Sequence, residues 1–522
     1  MKLNTKRTIF VGFAFFLILA FWQAYDNIIP LILTNKFGMS QFWSGVIMAL
    51  DNVLALVLLP LFGTMSDKHK GKRGRRTPFI RVGTVLAVVL LLLLTLADSA
   101  QLKKISAVST VDDPTALELI YDTQADRELV KPNKEKATLQ EEHFVLSQEI
   151  SREDFVAIRS TVEQDGKKIT NPDYVNYVVP ARQAYVWQIT AGSPQALILF
   201  VGILLLLLVA MSTFRSPAVA LMPDVTLKPL RSKGNAVINL MGYFGGICVL
   251  ALGKIFATDA TPNAMMSYTG FFAAVAALML VALVLFLCTV REPKWVDETR
   301  MESLRLGLME EHQEEAEKRK LSAGEKRSLL LVLASVVLWF FGYNAITTKY
   351  SVYATNILGK DFNLTLTIAT VAAIVSFVPV GILSSKIGRK RAILMGVALL
   401  AAAFAAGIFI SASTSTIVIY GVFVLAGIAW ATINVNSFPM VVEMCSDGDV
   451  GKYTGYYYTA SMAAQTMTPM LSGFMMDRLG MGILFPYAVV FVAGSFVTML
   501  FVRHGDSKIQ TKKGLEAFDI ED

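Results

Sequence analysis

Blocks of about 20 or more mostly apolar residues recur along the whole chain, separated by short polar segments. A block of that length is what an α-helix needs to cross a bilayer. The pattern predicts twelve spans at about 8–34, 40–65, 79–99, 190–222, 235–257, 264–290, 328–355, 363–385, 391–412, 416–443, 453–477 and 483–503. The first block continues past Asp26 to Leu33 with no small-residue cleavage site, so it reads as a span and not as a removed leader. Two segments break the rhythm. Residues 101–188 are polar, with β-branched and aromatic runs such as Tyr174–Val179 and turn signals at Asp165-Gly166 and Asn171-Pro172, which predicts a small β-rich or mixed α+β insert. Residues 291–327 are charged and predict a helical linker.

Composition sharpens this picture. Hydrophobic residues make up 54% and charged residues 17%, and mean hydropathy is +0.52, which excludes disorder, a secreted disulfide scaffold and most soluble enzymes. The three cysteines, Cys248, Cys288 and Cys445, have no paired-ligand spacing. The net charge of +7 follows loop topology: residues 66–76 hold six Lys/Arg against one Asp, and such loops face the cytoplasm. Both termini are then cytoplasmic, and the insert, with eleven basic and fifteen acidic residues, lies outside. The chain divides into 1–100 (spans one to three), the insert at 101–188, 189–290 (spans four to six), the linker at 291–327, 328–503 (spans seven to twelve) and a tail at 504–522.

The turn after the second span repeats. Gly63, Ser66, Asp67 and Lys68, followed by Gly74–Arg76, correspond to Gly381, Ser384, Ser385 and Lys386, followed by Gly388–Arg391. One such loop sets topology; two in matching positions of six-span halves imply a duplicated transporter. Glycine lets helices approach closely, and the charges can pair with each other and with helix ends across the halves. Asp67, Arg75, Arg76, Arg215, Asp224, Arg389 and Glu443 are the candidate gate residues.

The repeated turn resembles the signature turn of the major facilitator superfamily. More narrowly, Gly74–Ile80 resembles the G-R-R-x-P-F-I run of plant sucrose transporters, and Pro217–Asp224 followed by Asn235 resembles their P-x-R-A-L-x-x-D…N run. The resemblance implies an all-α membrane protein of two pseudo-symmetric six-helix halves and a sugar symporter. The related glycoside–cation symporters carry D-x-x-x-D-P-x-x-G in span two, where this chain has Ala55–Gly63 without either acid. Leu208 and Val219 stand where the sucrose transporters have an acid and an arginine, so a coupling group must lie elsewhere.

Ionisable groups in hydrocarbon are costly and belong beside water or a partner. Asp51 lies near the middle of span two, followed by Asn52; Asp26 and Asn27 lie in span one beside Trp22, Gln23 and Tyr25. A carboxylate can accept hydrogen bonds from sugar hydroxyls, and an aromatic face can cover the apolar face of a pyranose. Asp26, Asn27, Asp51 and Asn52, with Asn344, Tyr350, Asn434 and Gln465 of the second half, form the candidate substrate site, and Asp51 and Asp26 the coupling groups. Lys349 reads as snorkelling outward, with a pair to Asp26 as the alternative, and Arg215 reads as a cavity or gate residue or as the partner of Asp224. No phosphate loop occurs, and none of the four histidines lies in a span. The expected protein is a non-enzymatic, multi-pass plasma-membrane symporter working by alternating access. It takes a disaccharide or other glycoside with a proton, sodium being the second choice of ion. A monomer surrounded by lipid is expected, with no cofactor, metal or nucleic acid. An efflux antiporter for amphipathic compounds is the alternative.

Overall fold

The structure is a computed structural model describing residues 4–69, 71–131, 143–164, 167–227, 231–305, 322–442 and 450–504. The first half is built from α1 (Thr5–Leu31), α2 (Gln41–Lys68) and α3 (Thr77–Lys104). The insert contributes α4 (Pro114–Gln124), the strands β1 (Glu128–Val130) and β2 (His143–Val145), α5 (Leu146–Glu149), α6 (Arg152–Ala157), β3 (Thr161–Gln164), β4 (Lys167–Thr170) and α7 (Val179–Gly192). The half is completed by α8 (Gln195–Asp224), α9 (Arg231–Ile255) and α10 (Thr269–Thr289). A linker helix α11 (Glu292–Arg305) leads to α12 (Ala323–Tyr353), α13 (Phe362–Ile387), α14 (Arg389–Gly407), α15 (Thr416–Val442), α16 (Val450–Leu479) and α17 (Leu484–Leu500). In lipid, only a helix satisfies its own backbone, and the long apolar runs comply.

Ten helices among the described residues are individually long and apolar enough to cross a membrane. The other two, α13 and α16, occupy places that the packing makes equivalent to apolar helices of the first half. The packing scheme repeats: α1 packs on α9 and α10 as α12 packs on α16 and α17, and α3 packs on α8 as α14 packs on α15. The halves meet through α2 against α16 and α9 against α13, two equivalent pairs. A second repeat, at the ends of the first helix of each half, strengthens this. Thr34-Asn35-Lys36-Phe37-Gly38 and Thr355-Asn356-Ile357-Leu358-Gly359 share T-N-x-x-G. Each helix loosens into a π-helical turn there, Ile32–Lys36 and Ala354–Leu358, and each glycine has a positive φ, 69° and 58°.

The insert is α+β, with helices outweighing two short antiparallel hairpins, β1–β2 and β3–β4. Its core gathers Leu117, Ile120, Phe155, Tyr174 and Val178. The Tyr174–Val179 run, which reads as a strand, is instead a π-helical turn leading into α7. The Asn171 side chain accepts from Asp173 N at 3.0 Å, capping a helical start that overrides the β-branched composition. The Asp165-Gly166 turn lies outside the described residues. Gln183 Nε2 donates to Met39 O at 2.9 Å and ties the insert to the bundle.

One buried ion pair sits beneath the insert. Lys36 Nζ lies 2.6 and 2.8 Å from the Asp98 carboxylate oxygens and 4.4 Å over the Tyr268 ring, and both residues are fully buried. Removing one partner leaves an uncompensated buried charge. Lys36→Met is therefore expected to cost about 3–5 kcal/mol, and Lys36→Met with Asp98→Leu to cost less than that single change, both read from thermal melts in detergent.

Candidate functional site

The first half places three charges and an indole together. Trp22 and Asp26 are one helical turn apart on α1, and Trp22 packs edge-on to Tyr25 at 5.3 Å. The Arg215 guanidinium of α8 lies 5.2 Å from the Trp22 ring centroid. It acts electrostatically on both Asp26 and Asp51. Asn52 Nδ2 donates to Asp51 Oδ1 at 2.7 Å, so the amide orients the carboxylate. Two carboxylates thus lie within the field of one guanidinium, a group of formal charge −1 when both are ionised. Tyr25 Oη donates to Met48 O at 3.4 Å and braces α1 on α2.

The second half supplies an aromatic platform. Tyr343 of α12 stacks on Trp430 of α15 with centroids 3.6 Å apart and planes 2° from parallel, and Phe340 meets Trp430 edge-on at 5.3 Å. Asn434 Nδ2 donates to Trp430 O at 3.2 Å. Tyr343 is within electrostatic reach of Tyr243 on α9 of the first half. Asn344, the next residue, keeps a buried Nδ2 without a partner, and Gln465 is half-buried on α16. Neither Tyr343 nor Trp430 figures among the residues read from sequence; a tryptophan and a tyrosine at mid-span were the only local signal.

Two residues expected in the substrate site lie elsewhere. Asn27 is 2% exposed, packed inside the first half, because it points about 100° around the helix from Asp26. Tyr350 is fully buried with its ring 4.5 Å from Phe423 inside the second half. Six residues beyond Asn344, it faces about 120° away.

At the loop side of the bundle, opposite the insert, Asp224 binds Arg76 Nε at 3.0 Å and Arg75 Nη2 at 3.4 Å, and Arg76 also donates to Ser66 Oγ. These pairs lie within the first half, where the sequence suggested pairing across halves. Arg215 precedes Asp224 by nine residues, about 13.5 Å along a helix, and belongs with Asp26 and Asp51 instead. Glu292, unnoticed in the sequence, caps α3: its carboxylate accepts from the backbone N–H groups of Arg75 (2.6 Å), Arg76 (2.8 Å) and Thr77 (2.7 Å) and from Thr77 Oγ1 (2.7 Å). Gly74, at φ 102°, is glycine because a Cβ there would collide with that carboxylate. Arg389 opens α14. The Asp67 side chain and Glu443 lie outside the described residues.

The described cross-half polar contacts gather at the insert side. Asp477 of α16 accepts from the first two N–H groups of α2, Gln41 N at 2.7 Å and Phe42 N at 2.6 Å, capping that helix from the other half. Lys349 neither snorkels nor reaches Asp26; it is fully buried, and its Nζ donates to Gln41 O at 2.9 Å. Lys254 binds Asp361 at 2.6 Å, and Asn363 Nδ2 donates to Thr258 Oγ1 at 3.1 Å. Burial, then the neighbouring Asp361, pushes the Asp259 carboxyl in this cluster up to about 6. Gly45 lies against Pro469 O, and Gly473 against Gln41 O.

Comparison with known proteins fits this architecture. A family model described as Major Facilitator Superfamily matches residues 184–469 and 358–520, and one described as MFS/sugar transport protein matches 10–108. The structure superposes on the inward-open xylose transporter XylE from E. coli with a TM-score of 0.58 at 15% identity, covering 98% of this chain and 99% of that one. It superposes on a D-xylose–proton symporter with a TM-score of 0.57 at 15% identity, covering 95% and 98%. No match is found among curated protein sequences.

Proposed function

The chain belongs to the Major Facilitator Superfamily, and from that membership we propose that it is a proton-coupled sugar symporter for a disaccharide or other glycoside, working by alternating access. The observation that carries the reading is the grouping of Asp26, Asp51 and Arg215 near Trp22 in the first half together with the Tyr343–Trp430 platform of the second. Aromatic faces cover the apolar side of a pyranose, and ionised carboxylates accept from its hydroxyls. A net charge held in a low-dielectric cavity is costly, and one proton brings this group to neutrality. The family match over the first spans carries sugar transport in its name, and two structural neighbours are named for xylose. The cross-half contacts gathered at the insert side support a state closed on that side, which this reading takes as the outer one, and the first of those neighbours is named as inward open. Both termini then lie in the cytoplasm of a plasma-membrane protein.

Reconstituted vesicles test this. An inward pH gradient should drive accumulation of a radiolabelled disaccharide, and a protonophore should abolish it. In Asp51→Asn the accumulation ratio should fall to about one while sugar counterflow continues, because exchange needs binding and alternation but not a driving ion. Accumulation that survives Asp51→Asn refutes the coupling assignment. Displacement of bound ligand by lipophilic cations and not by sugars points to the efflux antiporter instead.

A further inference from the structure

A small cavity opens where the insert meets both halves. It is lined by Arg182 and Tyr174 of the insert, Asn35 and Thr261 of the first half, and Asn356 of the second. Asn35 and Asn356 are the equivalent asparagines of the T-N-x-x-G repeat, so the cavity lies where the pseudo-two-fold relation brings the halves together.

Its electrostatics are incomplete. Arg182 is 4% exposed. It donates from Nη1 to Tyr174 Oη at 2.6 Å and from Nη2 to Val111 O at 2.7 Å, while its Nε has no partner. No carboxylate among the described residues pairs with it. Asp112, the acid that acts on Tyr174, accepts from Ser160 N at 2.6 Å and Ser160 Oγ at 2.7 Å and forms no direct ion pair with Arg182. The phenol does not supply the missing charge either: burial holds the Tyr174 hydroxyl above its ordinary value, hence neutral. A guanidinium stays charged in proteins, and a buried charge without a counter-charge is expensive. Across the cavity, Asn35 Nδ2 is a second buried donor without a partner. Buried polar groups are normally satisfied, and orphans mark a missing water or ion.

We propose that this cavity is a binding site for a halide-sized monovalent anion, held by Arg182 and the paired asparagines Asn35 and Asn356, which fastens the insert across the two halves. Size selects the ligand class. The cavity measures about 30 Å³, against about 10–15 Å³ for one water. That admits chloride with a water but not phosphate or a sugar. Because residues of both halves line the site at the closed insert side, the anion binds the insert-closed state better than the open one and stabilises it.

The full-length protein in detergent, without sugar, tests the site directly, so its outcome is independent of the transport reading. Chloride is titrated against gluconate at constant ionic strength and the thermal midpoint recorded. A saturable rise of about 2 °C is expected for wild type, and bromide should reproduce it. Arg182→Gln should remove the increment. Asn35→Ala, which leaves the guanidinium in place, should keep it but shift half-saturation upward about tenfold, the effect of losing one hydrogen bond to a charged group. Should Arg182→Gln fail to fold, the Asn35→Ala shift decides alone. A flat chloride response in wild type, or an unchanged half-saturation in Asn35→Ala, overturns the proposal.

Discussion

Replacing Arg215 by Gln is expected to lower sugar uptake roughly 10²-fold, the loss that follows when one partner of a desolvated charge cluster is truncated. The reason is charge count. Asp26 and Asp51 both lie in the field of this one guanidinium, so its removal leaves two acids close together inside a bundle of low-dielectric protein. The double variant Asp26→Asn with Arg215→Gln returns the formal charge to −1 and should recover membrane expression and part of the sugar binding. Arg215→Lys keeps the charge but loses the planar group over Trp22, a contribution of about 0.5–2 kcal/mol, and should bind sugar about tenfold more weakly without losing proton dependence. Initial uptake rates and sugar-dependent quenching of tryptophan fluorescence in proteoliposomes measure both effects. If Arg215→Gln transports within about twofold of wild type, the arginine is not part of the working cavity and the assignment of Asp26 and Asp51 as a unit is lost with it.

These groups differ in how far the sequence exposes them. An arginine or aspartate inside an apolar run is conspicuous because hydrocarbon does not tolerate it without cause, so Asp26, Asp51 and Arg215 stand out from the sequence alone. Which charge meets which does not: Arg215 is nearly 190 residues from Asp26, and an acid nine residues downstream competes for it on paper. The Tyr343–Trp430 stack is invisible for the same reason, since aromatic residues in spans are common and only packing of α12 on α15 reveals the pair. Lys349 shows the limit from another side. Snorkelling is the right default for a lysine near a span end, but here the opposite half closes over it and provides Gln41 O. The duplicated architecture is more legible, through the glycine–arginine turn and also through the T-N-x-x-G pair, a short repeat whose meaning emerges once both copies form the same π-helical turn. The helix α16 is legible as the span at 453–477, although polar residues along it dilute its apolar signal.

Gly45→Leu is expected to trap the transporter with its insert side open. In the closed arrangement the Gly45 Cα faces the carbonyl of Pro469 in the other half, and an added Cβ would overlap Pro469 O. The obstacle is backbone, so no rotamer change relieves it. Inserting bulk into a packed contact costs about 1–3 kcal/mol even where side chains can yield, and raising the closed state by about 2.7 kcal/mol is enough to depopulate it a hundredfold. Turnover should fall below about a hundredth of wild type, while Gly45→Ala should show a smaller loss. The fold itself should survive, since the clash exists in only one of the alternating states. Gly342→Leu provides the contrast: Gly342 packs on Ala488 O and Val492 within the second half, so that variant should melt lower, whereas Gly45→Leu should melt near wild type. Accessibility reports the trapped state directly. With Cys248, Cys288 and Cys445 replaced by Ala and a single cysteine introduced by Gln465→Cys, a membrane-impermeant thiol reagent added from the insert side should label the Gly45→Leu background rapidly and the Gly45 background slowly. Equal labelling in both, or wild-type turnover in Gly45→Leu, means that the contact of α2 with α16 does not open during transport and that the two halves do not rock about it.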